Sequence, residues 1–151
     1  MRTVRDADGD RYLLLKESDE SSLVRDPESG AERYVANDDL DFVDESPLAT
    51  AAAGIDPAVR RLVTATYDDQ SLGLLVELVD GGPLATVELL DSYDLCESDL
   101  HGLLAEFRAA GLVAEAETAG QRGYDATDLA REAVAELRDG EPSDPASTAT
   151  E

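Results

Sequence analysis

Apolar positions along this chain change their spacing near residue 56. Before it they fall in short runs broken by turn residues; after it they recur three and four residues apart. Thr3-Val4-Arg5 and Arg11 to Lys16 flank Asp6-Ala7-Asp8-Gly9-Asp10, and Ser22 to Arg25 and Glu32 to Val35 flank Asp26-Pro27-Glu28-Ser29-Gly30. Each intervening segment combines Asp with Gly or Pro, the composition of a hairpin turn. The pattern predicts a four-stranded antiparallel meander. It holds few apolar residues and needs a partner surface to be stable.

Helical spacing follows. Ala49 to Ala53 predicts a short turn ended by Gly54. Asp56-Pro57 is a good helix start, with Val59, Leu62 and Val63 on one face. Leu72, Leu75, Val76 and Val79 predict a helix over 69–80, stopped by Gly81-Gly82-Pro83. Leu84 predicts a short strand, and Val87, Leu89 and Leu90 the buried side of the next helix. Asp94-Leu95 is a turn, and Cys96 occupies the cap of a helix held by Leu100, Leu103, Leu104 and Phe107 at i, i+3, i+4, i+7. Ala110-Gly111-Leu112-Val113 ends that helix on a glycine and opens a strand. A hairpin of 113–117 and 123–127 follows, its tip at Ala119 to Arg122. Thr127 then caps a helix over 128–138, with Leu129, Ala133, Val134 and Leu137 on one side. The expected fold class is α+β. A small antiparallel β domain spans 1–45, a helical linker 46–68, a helix-turn-helix with hairpin 69–138, and a disordered acidic tail 139–151.

The order helix, short strand, helix, turn, helix, hairpin, helix across 69–138 resembles the winged helix-turn-helix superfamily, especially the arsenic-repressor-like regulators. The most specific pieces are Gly82 to Leu95, Phe107-Arg108-Ala109-Ala110-Gly111-Leu112-Val113, and Arg122-Gly123-Tyr124. Residues 1–68 lie outside the resemblance. It implies a DNA-binding transcriptional regulator whose second motif helix enters the major groove of double-stranded DNA. A homodimer is expected, with helix 56–67 or 128–138 as the seam. Carried over by position, the outward residues are Glu97, Ser98, Asp99, His101, Gly102 and Ala105, with Arg108 further along. The candidate DNA-binding residues are Ser98, His101, Gly102, Arg108 and Arg122. Ser98 and His101 can hydrogen-bond base edges or phosphates, and Glu97 and Asp99 can accept from cytosine amino groups. Arg122 suits a phosphate or the minor groove. Ser98, Gly102, Ala105 and Ala109 form a small-residue stripe that would let another helix approach. A second reading stays open: a non-enzymatic protein-interaction or dimerisation module on the same fold without DNA, with the N-terminal β domain as a further protein-binding surface.

Charge complicates the DNA reading. Asp and Glu number 35 against 12 Lys and Arg, for a formal net charge of −23, and Lys16 is the one lysine. Residues 69–138 hold fifteen acids and four arginines. DNA binders usually spread cations over the contact face, because neutralising phosphates supplies much of their affinity. Here the acids are dispersed, which resembles the proteins of salt-in halophiles, archaeal ones foremost. In molar salt the Debye length is roughly 3 Å, so self-repulsion is screened and counterion release contributes little. A nucleic-acid mimic would instead cluster its acids.

Other chemistry is sparse. One cysteine excludes an internal disulfide and a cysteine-rich zinc site. The Cys and His clusters of arsenic-repressor-like metal sensing are missing, so neither metal nor cofactor is expected. Asp6 to Asp10 fails as a calcium loop, since Arg11 stands where that loop needs glycine. No nucleophile sits with a candidate base and no Gly-rich phosphate loop occurs, so no enzyme is expected. No run approaches 18 apolar residues, and the start lacks a signal peptide's apolar stretch, so the expectation is a cytoplasmic protein without a membrane partner. His101, the single histidine, is a DNA contact, a pH sensor or a solvated surface residue. Cys96 is a reactive thiol or a small buried cap.

Overall fold

A computed structural model describes residues 1–140. Of the tail expected to be disordered over 139–151, Asp139 is helical and 141–151 lie outside the described residues. The chain divides into two compact units, 1–57 and 58 onward, so residues 46–57 group with the sheet and 58–68 with the helices.

In the first unit, β1 (Arg2–Arg5), β2 (Arg11–Lys16), β3 (Ser21–Arg25) and β4 (Glu32–Ala36) form the expected antiparallel meander. Its turns follow from their residues. The Asp6 carboxylate accepts the backbone N–H groups of Asp8 at 3.0 Å and Asp10 at 2.9 Å, with Gly9 at φ 91°. The Asp26 carboxylate accepts from Glu28 at 2.8 Å, with Gly30 at φ 74°. The sheet has five strands, not four. After a 3-10 turn at Asn37–Asp39, β5 (Asp41–Val43) returns to pair with β1, Phe42 opposite Val4. A three-residue strand reached without a hairpin leaves no local signal, so it escaped the sequence.

The sheet makes up for its few apolar residues on both faces. One face buries Val4, Tyr12 and Val24, and the Arg2 and Arg33 guanidinium groups lie over Phe42 and Tyr12, 3.9 and 5.0 Å from the ring centres. The other buries Thr3 and Leu13. There α1 (Pro47–Ala52), capped by Ser46, packs on β1 and β2, with Thr3 and Thr50 joined by a buried hydroxyl–hydroxyl hydrogen bond of 2.7 Å.

The second unit comprises α2 (Pro57–Ala65), α3 (Asp69–Gly81), β6 (Leu84–Ala85), α4 (Thr86–Tyr93), α5 (Glu97–Ala109), the hairpin β7 (Val113–Thr118) and β8 (Gln121–Ala126), and α6 (Asp128–Asp139). Asp68 caps α3 in a reciprocal capping box with Ser71, and Thr127 caps α6 by accepting from Ala130. Leu62, Leu75, Leu78, Leu89, Leu100, Leu104, Phe107 and Leu112 are fully buried in one core with Ala130 and Ala133. Asp94 closes α4 at φ 50°. Gly111 at φ 76° closes α5, with the Leu112 N–H donating to the Phe107 carbonyl at 2.8 Å and the Gly111 N–H to Arg108 at 3.0 Å. β6 adds to the hairpin in the order β6-β8-β7. That pairing brings Gly123 against Ala85, where a Cβ would overlap the Leu84 carbonyl oxygen; only glycine fits.

Three expected core residues are exposed: Val63, Val87 and Leu137. Val87 sits two residues, roughly 200°, from the buried Leu89, on the opposite side of α4. Val63 lies just past the stripe of Ala58, Val59 and Leu62, and Leu137 lies in the last turn of α6, beyond Val134.

Candidate functional site

α5 is held to the core by Leu100, Leu103, Leu104 and Phe107, which leaves Glu97, Ser98, Asp99, His101, Gly102, Ala105 and Arg108 outward as the spacing predicts. Alongside it runs the β7–β8 hairpin. Its turn is Ala119-Gly120, at φ 53° and 76°, a two-residue turn of the kind that continues strand twist. Arg122 therefore sits not at the tip but inside β8, opposite Glu117.

Helix, hairpin and the start of α4 enclose an open groove of about 530 Å³, lined by Thr86, His101, Glu115, Glu117, Arg122 and Tyr124 among others. Two of the five candidate residues, His101 and Arg122, thus share one concavity. The other three do not line it. Ser98 is exposed on the first turn of α5, its hydroxyl 3.1 Å from the Cys96 sulfur. Gly102 is exposed on the outer face, with nothing within 4 Å of an added Cβ. Arg108 donates to Glu115 of β7 at 3.1 Å and ties helix to hairpin.

The arginines differ in their commitments. Arg131 pairs with Asp125 at 2.9 Å, and Arg138 makes a two-pronged pair with Asp80 at 2.9 and 2.8 Å. The Asp80 carboxyl is held below its ordinary range by the hydrogen bond from Arg138, against a smaller opposing effect of burial. With Arg108 on Glu115, three of the four arginines in 69–138 are neutralised internally. Arg122 makes no ion pair among the described residues. Nor do the side chains of Arg60 and Arg61, both on α2. His101 has Glu97 at 3.6 Å on its own helix, with 53% of its side chain exposed. That distance is too long for a good hydrogen bond.

Cys96 stands at the cap position of α5 without capping it. Its thiol pairs with the Ser98 hydroxyl, and that bond, with the backbone N–H groups of Ser98 and Asp99, favours the thiolate and holds the thiol below its ordinary range. It is exposed rather than a buried cap. Among the described residues, no three His, Cys, Asp or Glu side chains gather as metal ligands would, and no helix is long and apolar enough to cross a membrane.

Thr86, Glu115, Glu117 and Tyr124 were missed as groove residues. Register over the two-residue Ala119-Gly120 turn places Glu117 opposite Arg122, a pairing that the longer connection expected between 117 and 123 does not make. Neither the curated proteins nor the solved structures contain a match to this chain. The model of the Family of unknown function (DUF7346) matches residues 1–138, which spans both units, and the chain belongs to that family.

Proposed function

We propose that this chain is a DNA-binding transcriptional regulator of the winged-helix type, non-enzymatic, cytoplasmic and working in high salt as a homodimer. On this reading α5 is the recognition helix and the β7–β8 hairpin the wing. The observation that carries it is the shared groove: an outward helix and a hairpin supply His101 and the unpaired Arg122 to one concavity. Ser98 and the exposed Gly102 would lie closest to base edges, as befits the first half of a recognition helix. On this reading Arg108, which contacts Glu115, holds helix and hairpin together rather than meeting a phosphate.

The internal pairing of three of the four arginines in 69–138 predicts an unusual salt response for this unit. With about one phosphate neutralised per chain, the slope of log affinity on log salt should be near −1 per chain, against the much steeper values of cation-rich binders. The test is binding of labelled genomic duplex fragments to the full chain in about 2 M potassium chloride, where charge repulsion is screened. Arg122→Ala should weaken binding to every fragment, and Ser98→Ala should alter preference among them. Failure of the folded protein to retain any fragment refutes the regulator. One observation favours the alternative of a protein-contact module: Glu97 and Asp99 are exposed in the first turn of α5, where a phosphate backbone would meet them. Capture of a defined protein with no DNA retained would establish that reading.

A further inference from the structure

The groove between α5 and the hairpin brings together what a single phosphodiester requires, and it holds the chain's single histidine. Resting on the DNA reading above, we propose that this groove seats one backbone phosphate of the duplex between His101 and Arg122, and that protonation of His101 strengthens the seat, making DNA binding proton-linked. His101 is thereby assigned to phosphate rather than to base edges.

Three observations converge. Arg122 enters the groove from β8 without an ion pair among the described residues, so its guanidinium is available for a bidentate contact to phosphate oxygens. Thr86 and Tyr124 line the same groove and bring hydroxyls that can donate. His101 faces them from α5. Imidazole is the side chain whose charge ordinarily changes between pH 5 and 8.

The charges facing His101 come from three elements. Glu97 lies on its own helix at 3.6 Å; Glu115 and Glu117 come from β7; Arg122 and the neutral Tyr124 come from β8. Glu115 is already neutralised by Arg108. Glu97 is 74% exposed at its side chain, and an exposed pair of that length binds an imidazolium weakly. With His101 neutral, Arg122 is offset by Glu117; protonation of His101 adds one positive charge to the groove, screened in part by the exposed Glu97. Each proton taken up therefore favours the phosphate, and by reciprocity the phosphate favours the proton.

The chain has one histidine, so its imidazole C–H signals need no assignment among residues and report the seat directly. The probe is dimethyl phosphate, a phosphodiester that stays singly charged across the range, added to the full chain at a salt concentration that keeps it folded. The His101 titration should move to higher pH on addition, and Arg122→Gln should abolish the movement. In parallel, affinity for a random-sequence duplex should be about five-fold or more higher at pH 5.5 than at pH 7.5, and His101→Asn should flatten that dependence. An imidazole titration unmoved by dimethyl phosphate overturns the seat. A duplex affinity whose pH dependence survives His101→Asn overturns the proton linkage. Either result can stand beside intact DNA binding, which separates this inference from the regulator reading. Loss of all DNA binding with a moved imidazole titration would strike the regulator and leave the anion seat.

Discussion

Replacing Gly102 by alanine should stabilise the second unit, by about 0.5–1 kcal/mol. The residue is sixth of the thirteen in α5, so its neighbours on both sides are helical. A glycine there sacrifices more backbone freedom on folding than alanine would. The usual reason to keep one is a neighbour too close for a Cβ, and here nothing lies within 4 Å of that position. The added methyl therefore meets solvent, and the gain is the helix-propensity difference alone. For a unit of this size it should raise the thermal midpoint by about 2–8 °C. The assay is thermal unfolding of the full chain followed by far-UV circular dichroism in high salt. Gly73→Ala, an equally open position on α3, serves as the internal standard. A Gly102→Ala variant that gains nothing while Gly73→Ala gains would refute the reasoning. It would mean that the outer face of α5 is occupied in solution. If the stabilised variant instead binds DNA more weakly, the glycine is present for close approach of the ligand rather than by tolerance.

Gly123→Ala should destabilise the same unit by about 1–3 kcal/mol, because its Cβ would strike the backbone of β6 rather than a movable side chain; an unchanged unfolding midpoint would contradict the β6–β8 pairing. Acid should weaken the Asp80–Arg138 contact in a defined direction. The Asp80 pKa is lowered in the folded state, so its contribution is present above the ordinary carboxylate range and lost as pH falls through the depressed value. Asp80→Asn should therefore flatten the acid limb of a stability–pH curve without changing its neutral shape; an unaltered acid limb would count against the pair. Cys96 should be alkylated by iodoacetamide at neutral pH faster than a model thiol, and Ser98→Ala should slow the reaction, since the Ser98 hydroxyl is the leading cause of the lowered thiol pKa. Equal rates in both proteins would remove that hydroxyl from the account.

Legibility in the sequence followed the range of the interaction. Helices carried by consecutive periodic residues, such as Leu100, Leu103, Leu104 and Phe107, were readable, as were turns set by Asp6, Asp26 and Gly111. Burial was less so. Periodicity says which residues share a stripe but not how wide the core contact is, and this left Val63, Val87 and Leu137 outside. Contacts across long stretches of chain were invisible: the β1–β5 pairing and the Arg138–Asp80 pair 58 residues apart. The candidate site was half legible. Position on a helix named His101 and Ser98, but only the hairpin register brings Arg122 and His101 to one groove. Only the structure shows the contact between Arg108 and Glu115.

The hydroxyl bond between Thr3 and Thr50 bears on how this molecule can be dissected. A fragment cut at residue 45, where the strand pattern stops, would retain all five strands yet lose α1. Leu13 would be laid open to water, and Thr3 would lose the partner of its buried oxygen. Such a piece is a candidate for self-association through the uncovered side of its sheet, and could be mistaken for a natural oligomer. A cut after Pro57 keeps the helix with the strands it shields. Gel filtration of the two fragments side by side would show how far six helical residues govern whether the excised sheet remains a solitary species.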